Sequence, residues 1–83
     1  NFHLIILYDP NDSGEIARAH AINERLIRRT LSMGGTCSGE HGVGLGKKAY
    51  LFDEHGESLT IMRTLKLALD PKNIMNPGKM FDP

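Results

Sequence analysis

Glu40 and His41 stand side by side inside Gly34-Gly35-Thr36-Cys37-Ser38-Gly39-Glu40-His41-Gly42-Val43-Gly44-Leu45-Gly46-Lys47-Lys48, a run with six glycines in fifteen residues. An imidazole changes charge near neutral pH and can bind a metal or carry a proton, and a carboxylate can do either as well. Neighbouring side chains point apart in most backbone conformations, so the pair could divide metal ligation and proton transfer between its members at one site. The surrounding glycines admit positive φ and let the backbone approach a ligand closely. The plainer alternative is a loop whose glycines only make turns.

Familiar phosphate and metal patterns fit this run poorly. A P-loop needs Gly five residues before its Gly-Lys pair and Ser or Thr after it; here those positions hold His41 and Lys48. A dinucleotide fingerprint starting at Gly42 and Gly44 would need Gly where Lys47 stands. The zincin pattern, with Glu between two helical histidines, is absent from the sequence. Cys37 and His41 could share a metal, but a small inert cysteine explains Cys37 as well. What survives is His3 and Glu40 as nitrogen and oxygen ligands, with His41 beside them. Catalytic divalent sites usually take three protein ligands, so the third would come from other sequence.

The elements that must position these residues can be read in order. Phe2-His3-Leu4-Ile5-Ile6-Leu7-Tyr8 is an apolar, β-branched and aromatic run closed by Asp9-Pro10-Asn11-Asp12, and it predicts a strand buried on both faces. His3 could equally be a strand-end histidine bonded to a backbone carbonyl. Asp12 and Glu15 have capping-box spacing, which starts a helix near Ser13. Ile16, Ala19, Ile22 or Asn23, Leu26, Ile27, Thr30 and Leu31 mark its apolar stripe. Arg25, Arg28 and Arg29 lie late in it, where cations favour the dipole, and Gly34-Gly35 supplies the stop. His20 reads as exposed on this helix. Ala49-Tyr50-Leu51-Phe52 predicts one or two helical turns, and His55 reads as surface. A second amphipathic helix is expected from about Glu57 to Leu69, with Leu59, Met62, Leu65 and Leu69 as its stripe, ended by Asp70-Pro71. Lys72 to Pro83 reads as an ordered or docking loop.

Composition narrows the classes. Eighty-three residues make one small domain or part of one, too small to enclose a large cofactor. Ten Lys+Arg against ten Asp+Glu give no net charge to point to nucleic acid or an anionic membrane. No run is long enough for a membrane span, and the start has no signal-peptide pattern. One cysteine suits a reducing compartment, cytoplasmic or mitochondrial. The start at Asn1, without Met, reads as a piece of something longer.

Three separated segments carry a family resemblance: Asn1-Phe2-His3, Gly34 to Gly44, and Leu69-Asp70-Pro71-Lys72-Asn73-Ile74-Met75-Asn76-Pro77-Gly78-Lys79. In order and spacing they resemble the C-terminal part of FAD-linked 2-hydroxy-acid oxidases of the vanillyl-alcohol-oxidase type, which include D-lactate dehydrogenase and the glycolate oxidase flavin subunit. The resemblance implies that His3 is the second histidine of a divalent metal site (zinc or manganese) and that Glu40 is its carboxylate. By the same resemblance His41 is the general base, and Asn76 lies near the isoalloxazine ring of FAD. Relatives acting on larger dicarboxylic hydroxy acids often have Asn two residues after the second metal histidine. Ile5 stands there, which favours a small substrate such as D-lactate or glycolate.

The expected fold is α+β: a fragment of a ferredoxin-like cap domain with one buried strand and two main helices. Residues 1–69 would be the cap part and 70–83 a tail returning toward an upstream FAD-binding domain. The segment alone is expected to be inactive, with electron acceptor and any homo-oligomer left open. Rival classes are a non-catalytic binding or assembly module and a free-standing metal-binding domain. The first should have lost His3, Glu40 or His41, and the second should contain a full ligand set.

Overall fold

The computed structural model describes residues 2–82 and divides into two compact units, Asn1–Gly39 and Glu40–Pro83.

The first unit is built on α1, Ser13–Ser32. Asp12 caps its start, its carboxylate accepting from the backbone N–H of Gly14 at 2.9 Å and of Glu15 at 3.2 Å. Glu15 does not return the bond to Asp12 as a capping box would; its carboxylate accepts from the Asp9 N–H at 2.6 Å and fastens the preceding turn. The covered face comprises Ile16, Ala19, Asn23, Leu26, Ile27, Thr30 and Leu31. Of the two candidates for the middle of the stripe, Asn23 is half-buried and Ile22 is exposed. Asn23 is the one that continues the three- and four-residue steps from Ala19 to Leu26 and Ile27. On the polar face Arg28 pairs with Glu24 one turn earlier at 3.1 Å.

The stop is a Schellman turn. The Gly34 N–H donates to the Leu31 carbonyl at 3.1 Å and the Gly35 N–H to the Thr30 carbonyl at 2.9 Å, with Gly34 at φ +80°. Gly35 is required for a second reason: a Cβ there would lie 2.6 Å from Thr30 Cγ2.

The strand expected over Phe2–Tyr8 is not formed. No strand occurs among the described residues, and Phe2, Ile5 and Leu7 are 80%, 85% and 90% exposed. A strand satisfies its N–H and C=O groups only through a neighbour, and no described segment supplies the ladder. The described residues are therefore helical rather than α+β, and the ferredoxin-like arrangement does not emerge from them.

The second unit carries a 3₁₀ turn, Lys48–Tyr50, then α2, Leu51–His55, and α3, Ser58–Leu69. The expected helical turns at Ala49–Phe52 and the helix from about Glu57 are these elements. α2 packs on α3 and on the 3₁₀ turn, with Leu51 fully buried. On α3 the covered line runs through Leu59, Met62, Lys66 and the C-cap Asp70, whereas Leu65 and Leu69 stay exposed. The stripe turns by one residue in its last two turns because Lys66 and Asp70 are drawn to the tail. Lys66 Nζ pairs with the Asp70 carboxylate and donates to the Met75 carbonyl at 2.6 Å. The same carboxylate accepts from the N–H of Ile74 at 3.0 Å and of Met75 at 2.9 Å.

A second clamp holds the tail's end. Lys48 Nζ donates to the Gly78 carbonyl at 3.0 Å and pairs with Asp82, and the Met80 N–H donates to the Gly44 carbonyl at 2.8 Å. The tail is thus an ordered loop bound to the glycine-rich segment and to α3.

Candidate functional site

In the second unit the glycine-rich segment, the end of α3 and the tail border an open cavity of about 480 Å³, a size suited to a small ligand. His41, Val43 and Gly44 enter from the loop, Lys66, Leu69 and Asp70 from the end of α3, and Met75, Asn76 and Lys79 to Phe81 from the tail. Two residues singled out from the sequence, His41 and Asn76, therefore line one cavity although 35 positions separate them. Gly42, at φ +74°, turns the chain between His41 and Val43.

Glu40 and His41 do not diverge as neighbouring side chains usually do. His41 Nε2 lies 3.6 Å from Glu40 Oε1, with side chains 81% and 62% exposed. Both groups are accessible to a ligand. His3 belongs to the first unit and is exposed. Cys37, also in the first unit, is buried and forms no disulfide, as fits a small apolar residue.

Asn76 sits in a strained turn. Its φ is +48° and it precedes Pro77, a position normally pushed to extended backbone. Its carbonyl accepts from the Lys79 N–H at 3.2 Å, and Gly78, at φ +76°, completes the turn. Met80 is also left-handed, at φ +59°, a conformation unfavourable for its side chain and tied to the bond its N–H makes to Gly44. Such strain persists where surrounding contacts hold it, often at functional sites.

Asp70, not singled out from the sequence as a site residue, anchors the cavity's floor. The bond from Lys66 and those from the Met75 and Ile74 N–H groups hold its carboxyl below the ordinary 3.8, against the opposing effect of burial. Its signal lay in the Lys66/Asp70 spacing across the helix end, which reads equally as surface pairing. Lys79 was legible only as part of the closing Asn-Pro-Gly-Lys.

The residues present fit the groups that the resemblance implies. Carboxylate and imidazole are the donor types of zinc or manganese sites, and Glu40 and His3, the two ligands that the resemblance names, are both exposed. Val43, Leu69, Met75, Met80 and Phe81 give the cavity apolar walls beside the polar Asn76 and His41, as the face of a flat ring would need. Among the described residues no helix is long and apolar enough to cross a membrane.

The family described as FAD linked oxidases, C-terminal domain, matches residues 1–80. The chain is 54% identical over 83 residues to the probable D-lactate dehydrogenase, mitochondrial, of Danio rerio, covering 99% of this chain and 17% of that protein. It is 48% identical over 84 residues to the D-lactate dehydrogenase (cytochrome), mitochondrial, of Arabidopsis thaliana, covering 100% of this chain and 15% of that one. Against glycolate oxidase subunit GlcD of Escherichia coli (strain K12) it is 36% identical over 80 residues, 95% of this chain and 16% of the subunit. The chain thus spans 15–17% of the length of these relatives.

Proposed function

We propose, from the premise that this chain belongs to the FAD linked oxidases, C-terminal domain, that it supplies part of the active site of a flavoprotein oxidising a small D-2-hydroxy acid, D-lactate or glycolate, to the 2-oxo acid. The observation that carries the proposal is the meeting of His41 and Asn76 in one apolar-walled cavity, with Glu40 against His41. The names of the relatives, D-lactate dehydrogenase and glycolate oxidase subunit, agree in reaction type and supply the substrate class.

Oxidation of a hydroxy acid requires removal of the hydroxyl proton and of a hydride equivalent from the same carbon. FAD, when bound, would accept the hydride equivalent, and a divalent metal, for which His3 and Glu40 would be ligands, would make the hydroxyl more acidic. His41 takes the hydroxyl proton on its imidazole. Glu40, 3.6 Å away, steadies the positive charge that the imidazole then carries. Asn76 presents its side chain to the flavin from a turn whose strain fixes its position.

In this reading residues 1–69 are part of a cap domain and 70–83 a tail returning toward the flavin. Phe2–Tyr8, apolar and exposed in the described residues, becomes a strand when a neighbouring sheet edge supplies its ladder. A reducing compartment, mitochondrial or cytoplasmic, suits Cys37, which forms no disulfide. The test is a substrate panel on the longer flavoprotein carrying these residues. D-lactate or glycolate should be oxidised well ahead of L-lactate and of dicarboxylic 2-hydroxy acids, and oxidation of none of them would overturn the reading.

A further inference from the structure

Two bonds tie the glycine-rich segment to the tail, and they differ in kind. The Met80 N–H donates to the Gly44 carbonyl at 2.8 Å, a contact of backbone with backbone. Farther along the segment, Lys48 Nζ donates to the Gly78 carbonyl at 3.0 Å and pairs with the Asp82 carboxylate. The base of this lysine is itself held. Its N–H donates to the Leu45 carbonyl at 3.3 Å, and its carbonyl accepts from the N–H of Leu51, the residue buried between α2 and α3.

The two partners of the ammonium are unequal. The Asp82 side chain is 79% exposed, so that ion pair stands in solvent and contributes little. Lys48 is 21% exposed, and its bond to the Gly78 carbonyl is partly buried, where a charged donor counts for more. Gly78 belongs to the turn that carries Asn76. Asn76, Gly78 and Met80 stand at φ +48°, +76° and +59°, and the two that are not glycine hold such backbone only where contacts from outside impose it. The bond inside the turn, from the Lys79 N–H to the Asn76 carbonyl, closes it without fixing it to the glycine-rich segment. Lys48 supplies that attachment from a side chain that does not line the cavity.

Resting on the function proposed above, we propose that Lys48 is a positioning residue of the reaction. Through the Gly78 carbonyl it holds the Asn76 turn against the segment that carries His41, so that the two side chains keep their mutual placement. A misplacement of about 1 Å at reacting groups can lower a rate by roughly 10²-fold, which sets the scale of the effect.

The experiment uses the longer flavoprotein with its flavin bound, and the variants K48M, K48R, N76A, the double variant K48M/N76A, and K72Q as a control on loss of a tail cation. Three readouts are taken: hydrogen–deuterium exchange of residues 74–82 by mass spectrometry, the visible circular dichroism of the flavin, and kcat and KM for D-lactate. K48M should lower protection of residues 74–82 by about 10–150-fold, the worth of a hydrogen bond to a charged group. It should change the flavin dichroism in the same sense as N76A and lower kcat about 10–100-fold while KM stays within about three-fold. K48R should restore the larger part of protection and rate. The double variant should be within about two-fold of N76A alone, because both substitutions remove one contribution. K72Q should match the wild type.

Unchanged protection in K48M overturns the assignment, as does a loss confined to KM. Losses that multiply in the double variant overturn it too, since Lys48 then acts by some route other than Asn76. An effect of K72Q as large as that of K48M reduces the result to tail charge and overturns it. Where K48M fails to retain flavin, K48Q, which keeps a polar amide in the partly buried site, takes its place in every comparison. A wild-type protein that oxidises no 2-hydroxy acid, with K48M and N76A still altering exchange and dichroism alike, refutes the proposed reaction and leaves the attachment standing.

Discussion

Asp70 is 5% exposed and bonded to Lys66 and to the N–H groups of Ile74 and Met75. Its lowered pKa ties tail order to pH with a definite sign. A carboxyl depressed in the folded state contributes stability that is full above its unfolded value, near 3.8, and is lost as pH falls through the lower folded value. A carboxyl-carbon NMR titration of Asp70 should therefore give a midpoint below 3.8, with the Ile74 and Met75 amides shifting together as the carboxylate protonates. Asp70→Ala should release residues 74–75 and raise their amide exchange; unchanged protection would contradict this account of the anchor. At this scale sequence reading was least informative. Asp70 shows in the sequence only through its four-residue spacing from Lys66 and its place before Pro71, and the acceptor for Met75 lies five residues back across a turn no local rule specifies. The approach of Glu40 to His41 likewise depends on local backbone, with Gly42 at φ +74° next to the pair, rather than on side-chain type.

α1 and α3 were legible because their causes are local. Asp12 as N-cap, the steps from Ile16 to Leu31 and the Gly34-Gly35 stop each act within a turn or two, and each stands in the structure. Asp12→Ala should cost about 0.5–2 kcal/mol of α1 stability, and a loss under a few tenths in thermal unfolding would mean the cap is redundant. Gly35→Ala places a methyl 2.6 Å from Thr30 Cγ2 and 2.9 Å from its carbonyl oxygen, so the turn must open. The expected loss is about 1–3 kcal/mol, and Gly35→Ala with Thr30→Ser should recover part of it by removing Cγ2. The apolar run Phe2–Tyr8 forms no strand among the described residues because strand formation is not a local property: its pattern describes a good strand and says nothing of where the neighbour is. The last two turns of α3 differ for a similar reason, since contacts of Lys66 and Asp70 with the tail outweigh the periodicity that pointed to Leu65 and Leu69.

At the scale of the whole molecule, Ile27, Cys37 and Leu51 are the apolar residues buried among those described, while Phe2, Ile5, Leu7 and Leu69 are 80–90% exposed. That is a thin core for 83 residues, as expected of a segment that completes its burial against other parts of a longer chain. The isolated 83-residue chain should thus unfold without a sharp thermal transition and oxidise neither D-lactate nor glycolate with added FAD; a cooperative transition with turnover would contradict this. The central claim is that His41 is the proton acceptor of a flavin-dependent oxidation. It is tested most directly by mixing the longer flavoprotein anaerobically with D-lactate or glycolate and following the loss of flavin absorbance, wild type against His41→Gln. Wild-type flavin should bleach rapidly and the variant about 10²–10⁴-fold more slowly with its flavin still bound, the usual worth of a general base. Bleaching of the variant at the wild-type rate would contradict the account.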